Sequence, residues 1–261
     1  MEKFEAIVVE KENYICTLWL ARPEKRNAIN RQMAAELVSF LASAENDPQI
    51  RVVILRGQGD FFCAGGDLKW MSQGDELLPE DRSGDVLAGL YLSLYRFPKP
   101  LITIVHGAAM GGALGLIACA DFVLAENQAV FSFSEVKLGL VPATISPFVI
   151  KRIGELNARQ LMLSGEKINA SEAVRMHLAD KAGSIEQLIT FAMELSTNMA
   201  GNAPEAMKTC KRLIQQVTGK EIDHSLSKYT ADLLTKLQKG EEAQEGMKAF
   251  LEKRKPTWPE K

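Results

Sequence analysis

Two glycine pairs stand where backbone amides could do chemistry. Gly65-Gly66 follows a β-type run and a turn, and precedes Asp67-Leu68-Lys69, which can open a helix. Gly111-Gly112 follows the apolar run at 101–105 and precedes the apolar segment 113–120. Glycine lets a backbone approach closely and take unusual dihedrals. The start of a helix leaves N–H donors without partners, at an end that favours negative charge. Two such donors aimed at one point form an oxyanion hole, which holds charge developing on a carbonyl oxygen. Taken singly, each pair equally describes a tight turn.

The elements that must position these turns follow from hydrophobic pattern and capping signals. Residues 4–10 and 14–20 are β-type runs separated by Lys11-Glu12-Asn13, which predicts a hairpin. Asn30 can cap a helix carrying Met33, Leu37, Phe40, Leu41 and Ala44 on one face, ended by Asp47-Pro48. Residues 51–56 (RVVILR) predict a buried strand, followed by the turn Gly57-Gln58-Gly59-Asp60. The polar, acidic stretch 72–85 predicts a mobile loop, 86–97 a helix, and 122–125 and 130–133 further strands. From about residue 146 the pattern is mostly helical, which predicts an α/β core with a helical C-terminal portion.

The stretch 101–120 (LITIVHGAAMGGALGLIACA) is long enough to span a membrane, and Gly107, Gly111 and Gly115 make small-xxx-small spacings. It nevertheless begins with a β-branched run, breaks at His106-Gly107 and then turns glycine- and alanine-rich. A buried strand, a tight turn and a buried helix account for all three features.

Composition narrows the function further. A chain of 261 residues with 31 Lys plus Arg and 33 Asp plus Glu has a net charge of −2, which argues against nucleic-acid or membrane-surface binding. Cys16, Cys63, Cys119 and Cys210 form no C-x-x-C pair and no zinc-like spacing, so free thiols in a reducing cytosol are expected. The opening MEKFEAIVVEKENY is not a secretory signal, and a cytoplasmic location is the expectation. No phosphate loop, dinucleotide fingerprint, G-x-S-x-G elbow or H-E-x-x-H motif occurs, and His106, His177 and His224 form no local cluster. No metal and no separate cofactor are expected.

The wording around the two turns carries a family resemblance. PEKRNAIN, FCAGGDLKWM, VHGAAMGGALGL, ACADFVLAE and FSFSEVKLGLVPATISP, with the later LSGEKINASEAVRMHLAD and AFLEKRKPTW, resemble the enoyl-CoA hydratase/isomerase (crotonase) superfamily over essentially the whole chain. The variant GGALGL with SEVKLGLVPATISPFVIKRIG looks like bacterial members labelled methylglutaconyl-CoA hydratase, and like the related isohexenylglutaconyl-CoA hydratases.

The resemblance implies an α/β fold, the crotonase (ClpP-like) spiral of ββα units over residues 1–195, with a C-terminal helical trimerisation region over 196–261. It implies an acyl-CoA thioester substrate, coenzyme A being part of that substrate, and a homotrimer or dimer of trimers. Gly66 and Gly112 match the positions whose N–H groups bind the thioester oxygen, and Glu135 matches a catalytic acid–base. Arg26, Asn27, Ala28, Ala64, Asp67 and Leu68 fall in segments that line the coenzyme A site in relatives. Lys253 or Lys255 would lie near a coenzyme A phosphate of an adjacent subunit.

One position departs from the pattern. Hydratases of this superfamily commonly use two glutamates, and the first should fall three residues after Gly112, where this chain has Gly115. That leaves three readings open. The first is a hydratase of a 2-enoyl-CoA, with a branched acidic acyl group such as 3-methylglutaconyl. The second is a Δ3,Δ2-enoyl-CoA isomerase or acyl-CoA decarboxylase working with Glu135 alone. The third is a non-catalytic RNA-binding relative, for which Lys208, Lys211 and Arg212 share one predicted helix face.

Overall fold

The structure is a computed structural model describing residues 4–72 and 82–258. The chain runs β1 (Ile7–Glu12), β2 (Ile15–Leu20), α1 (Arg31–Asn46), β3 (Val52–Gly57), α2 (Leu68–Met71), α3 (Ser83–Arg96), β4 (Leu101–Val105) and β5 (Ala108–Met110). It continues through α4 (Ala113–Ala118), β6 (Phe122–Glu126), β7 (Val130–Ser132), α5 (Ser146–Ser164), β8 (Ile168–Asn169), α6 (Ala170–Arg175) and β9 (Lys181–Gly183). Four helices follow: α7 (Ile185–Ala200), α8 (Pro204–Val217), α9 (His224–Gln238) and α10 (Glu241–Leu251).

The large sheet has the order β1-β2-β3-β4-β6-β9, antiparallel only between β1 and β2. A second sheet has the order β5-β7-β8. Isolated parallel bridges Ile29↔Gly66 and Cys63↔Ala109 extend that second layer across the preceding turns of the chain. Successive units therefore lay one strand in the large sheet and one extended segment in the second layer before a helix returns. This is the ββα spiral expected, and it sets the segments around Gly66, Gly112 and Glu135 side by side.

The apolar run of β4 is explained by burial on both faces. Leu101 and Val105 join the core between the layers, while Ile102 and Ile104 pack with Leu188 and Ala192 of α7 on the opposite face. Among the described residues no helix is long and apolar enough to cross a membrane. In α1, Asn30 accepts the Met33 N–H at 2.9 Å, and the predicted stripe from Met33 to Ala44 is buried. Pro48 has no N–H to give the Ala44 carbonyl. Lys99 Nζ supplies the missing donor at 2.5 Å and also reaches Asp47 O at 2.7 Å. Burial pushes this amine down to about 8.

Several boundaries differ from the sequence expectation. The first hairpin turns at Asn13-Tyr14, with φ of 49° and 65°, rather than over Lys11-Glu12-Asn13. A two-residue turn with both residues left-handed matches the twist of the flanking strands, so β1 runs on to Glu12. Helix α3 begins at Ser83, inside the stretch read as a loop, and residues 73–81 of that stretch lie outside the described residues. The boundary placed at 195 falls within α7, which packs on the large sheet. Beyond it, Ala249 is the one buried residue among the described side chains of α8, α9 and α10.

Candidate active site

The second layer is where the two glycine turns meet. Ala64 N–H donates to Arg26 O at 2.9 Å, Ile29 N–H to Gly65 O at 2.7 Å and Asp67 N–H to Ile29 O at 2.8 Å. On the other side, Cys63 N–H donates to Ala108 O and Met110 N–H to Cys63 O, each at 3.1 Å. The segment 63–67 is thus clamped between 26–29 and β5. Gly65 has φ 94°, and a Cβ there would lie 2.5 Å from Met110 O, so only glycine fits. A Cβ on Gly112 would lie 3.4 Å from Gly66 N, so the two turns are in contact at the amides of interest. Among the described residues neither the Gly66 nor the Gly112 N–H has an acceptor. Two adjacent donors are left for a ligand.

Glu135 enters from the next unit of the spiral. It begins a short 3-10 turn, Glu135–Leu138, after β7, and Leu140 N–H closes onto Glu135 O at 3.0 Å. Its Oε1 lies 3.3 Å from where a Cβ on Gly111 would be, which places the carboxyl against the turn that carries the Gly112 amide. Oε2 is buried and, among the described residues, has no hydrogen-bond partner. Burial raises the pKa of this carboxyl above the ordinary glutamate value. A carboxylate held so is poised to accept a proton.

At position 115 the structure explains the departure. A Cβ on Gly115 would lie 2.6 Å from Tyr91 Cε1 and closer still to Ile145 Cγ2. The space a glutamate would need is filled by an aromatic ring from α3 and an isoleucine from the start of α5. Tyr91 is fully buried, and its hydroxyl donates to Gly112 O at 2.8 Å. Met71 covers the other turn, with Sδ 2.5 Å from the Cβ position of Gly66.

The remaining sequence-predicted residues lie on the hydrogen-bonded segments 26–28 and 64–68 that lead into and out of the Gly66 turn. Arg26 has φ 50°, is exposed, and its guanidinium lies 5.1 Å above the Phe61 ring. Ala28 and Ala64 are half-buried, and Leu68 is 54% exposed. Asp67 is already engaged: it caps α2 through Lys69 N at 3.1 Å and Trp70 N at 3.4 Å, and pairs with Arg22 at 3.3 Å. Asn27 is fully buried and holds the loop together, accepting Arg22 N–H at 2.9 Å and donating to Gln58 O and Phe61 O at 2.8 Å. Cys63 donates to Asn27 O at 3.0 Å, and burial pushes its thiol up to about 12, so it stays protonated. Among the described residues no three His, Cys, Asp or Glu side chains gather to hold a metal ion.

Two other polar side chains close to the site in sequence are bound up in structure. His106 Nε2 is 2.8 Å from Gly59 O, and Ser132 donates to Gly165 O at 3.0 Å. Lys208, Lys211 and Arg212 of α8 each face a carboxylate, Glu205 at 2.6 Å, Asp121 at 2.6 Å and Glu45 at 3.8 Å respectively. That pairing removes the basic face on which the RNA-binding reading rested. Sequence reasoning missed Tyr91, Ile145 and Met71. The glycine at 115 was the one signal that a bulky neighbour fills a glutamate's place.

Comparison with known proteins shows the family and the fold. The sequence profile of the family described as enoyl-CoA hydratase/isomerase matches residues 10–261. An enoyl-CoA hydratase from Shewanella pealeana has a similar structure, with a TM-score of 0.92 and 34% identity, covering 98% of this chain and 97% of that one. The 2,3-dehydroadipyl-CoA hydratase of Escherichia coli is 32% identical over 253 residues, 97% of this chain and 98% of the relative. The mevalonyl-coenzyme A hydratase of Aspergillus fumigatus is 33% identical over 248 residues, 94% of this chain and 91% of the relative. The layered spiral, the paired amides and the match along nearly the full length have one common explanation: the chain belongs to the enoyl-CoA hydratase/isomerase family and is an enzyme of that family.

Proposed function

We propose that this enzyme adds water across the C2–C3 double bond of a 2-enoyl-CoA. The observation that carries the reading is that, among the described residues, Glu135 Oε2 is buried without a hydrogen-bond partner and its carboxyl rests on the turn whose amide, with that of Gly66, has no acceptor. The Gly66 and Gly112 N–H groups hold the thioester oxygen and draw electrons from C3. Water attacks C3 while giving a proton to Glu135, and the electron pair of the double bond moves onto the thioester as an enolate. Glu135 then returns that proton to C2, so one water is consumed and the carboxylate is regenerated. Each amide is worth about 2.7–4 kcal/mol to the charged transition state, by analogy with other oxyanion holes. A glutamate raised by burial is better matched to a proton that must be both taken and given near neutral pH.

The coenzyme A portion would run along the rim formed by Arg26, Ala28, Ala64, Asp67 and Leu68, with the exposed guanidinium of Arg26 suited to a phosphate oxygen. We further propose a branched or acidic acyl group such as 3-methylglutaconyl. Relatives named for a dehydroadipyl and a mevalonyl thioester support it. A homotrimer or dimer of trimers is proposed from the exposed Ile214, Leu234 and Phe250 of α8, α9 and α10. A cytoplasmic setting fits the four free cysteines.

The filled position at Gly115 favours a second reading. One carboxylate suffices to carry a proton between C2 and C4, as a Δ3,Δ2-enoyl-CoA isomerase requires, or to protonate the enolate left by a decarboxylation. Crotonyl-CoA, a 3-enoyl-CoA and 3-methylglutaconyl-CoA, each incubated with the protein, separate these chemistries. Hydration removes the absorbance of the conjugated thioester, and isomerisation of the 3-enoyl compound creates it. Loss of absorbance with a 2-enoyl substrate is the expected result. Turnover of the 3-enoyl compound alone would replace hydration by isomerisation.

A further inference from the structure

Tyr91 ties the Gly112 turn to a helix in a different part of the chain. A glycine's torsions are soft, so the direction of its N–H is fixed only if the peptide planes on both sides are pinned. The plane before Gly112 is held by Leu114 N–H on Gly111 O at 2.9 Å. The plane after it is held by Gly115 N–H on Gly112 O at 3.1 Å and by the Tyr91 hydroxyl on the same oxygen at 2.8 Å. The first two bonds lie within the turn itself. The third comes from α3 and is the shorter of the two on that oxygen.

Burial raises the pKa of the Tyr91 phenol well above the usual tyrosine value, so it stays a donor throughout the working range. Its ring meets the space that glycine leaves at 115, so removing a side chain there and anchoring the turn from α3 are one arrangement.

We infer that Tyr91 is a positioning residue for the oxyanion site, fixing the Gly112 amide from behind through the Gly112 carbonyl. This rests on the proposed role of Gly66 and Gly112. Tyr91 touches no substrate. Its effect is on how well the amides hold a negative oxygen, and it leaves recognition of the coenzyme A portion unchanged.

The test uses acetoacetyl-CoA, whose loss of a C2 proton gives an enolate with its own absorbance. On the wild-type protein the bound ligand should ionise more readily than in water. In Tyr91→Phe the ratio of enolate to neutral ligand should fall about tenfold, the loss of roughly one hydrogen bond's worth of anchoring. The dissociation constant for free coenzyme A should not change, and kcat on the preferred substrate should fall with KM nearly constant. Site-specific 3-fluorotyrosine at 91, a stronger donor of almost the same shape, should hold the ratio at or above wild type. It also serves if Tyr91→Phe does not fold. An unchanged ratio in Tyr91→Phe, or a fall with fluorotyrosine, would overturn the role of Tyr91 while leaving the paired amides standing. Failure of the wild type to ionise the bound ligand would instead remove the oxyanion reading, and Tyr91's role with it.

Discussion

Glu135 Oε1 lies 3.3 Å from the point at which Gly111 would carry its first side-chain carbon. The carboxyl therefore rests on the backbone turn that presents the Gly112 amide, and its other oxygen is buried with no hydrogen-bond partner among the described residues. Desolvation raises the pKa of this group, and the consequence for stability has a definite sign. In the window between the ordinary glutamate value and the raised one, the folded state binds more protons than the unfolded state. Stability is therefore lost as pH rises through the folded value. Glu135→Gln removes the penalty and should melt at a higher temperature than wild type at pH 7, with the gain shrinking toward pH 4. Thermal melts at the two pH values check this, and an equal difference at both would contradict it.

Gly115→Ala should destabilise. The added methyl would meet Tyr91 Cε1 at 2.6 Å and Ile145 nearer still, inside a fully packed region. Overpacking of this kind costs about 1–3 kcal/mol. A denaturation midpoint equal to wild type would show that the ring and the isoleucine can move aside. Gly115→Glu should cost more and should not create a two-glutamate hydratase, because no room exists for the second carboxylate.

Asn27→Ala should be among the more damaging single changes near the site. It leaves Arg22 N–H, Gln58 O and Phe61 O without their partner, and puts alanine at φ 55°. Stranding buried polar groups costs about 1–3 kcal/mol each, so with three of them a loss of at least about 3 kcal/mol is expected in urea unfolding. The damage should spread to activity, since the same loop holds the segment carrying Gly66.

Much of this architecture was legible in the sequence, for physical reasons that differ by element. The α1 stripe and its Asn30 cap read correctly because periodicity and capping are local. The run 101–120 read correctly as strand, turn and helix because its glycines fall at the break and beyond it. The short strands β5, β8 and β9 were not read, since two or three residues carry no period and are strands only through their neighbours. Gly66, Gly112 and Glu135 were found through their motif wording, and the spiral brings them together. Asp67 was read as lining the site, and the structure shows its side chain committed to a helix cap and to Arg22. Tyr91 was invisible because its partner, the Gly112 carbonyl, lies in another unit of the spiral, and contact between units is not written in local sequence.

The central claim is that one carboxylate moves the proton while two amides hold the oxygen. Its most direct test is turnover and binding measured together in Glu135→Gln with a 2-enoyl-CoA that the wild type consumes. The account predicts that turnover falls by about 10²–10⁴, the range of general acid–base catalysis, while the dissociation constant for the acyl-CoA stays within a few-fold of wild type. Turnover near the wild-type rate would contradict it.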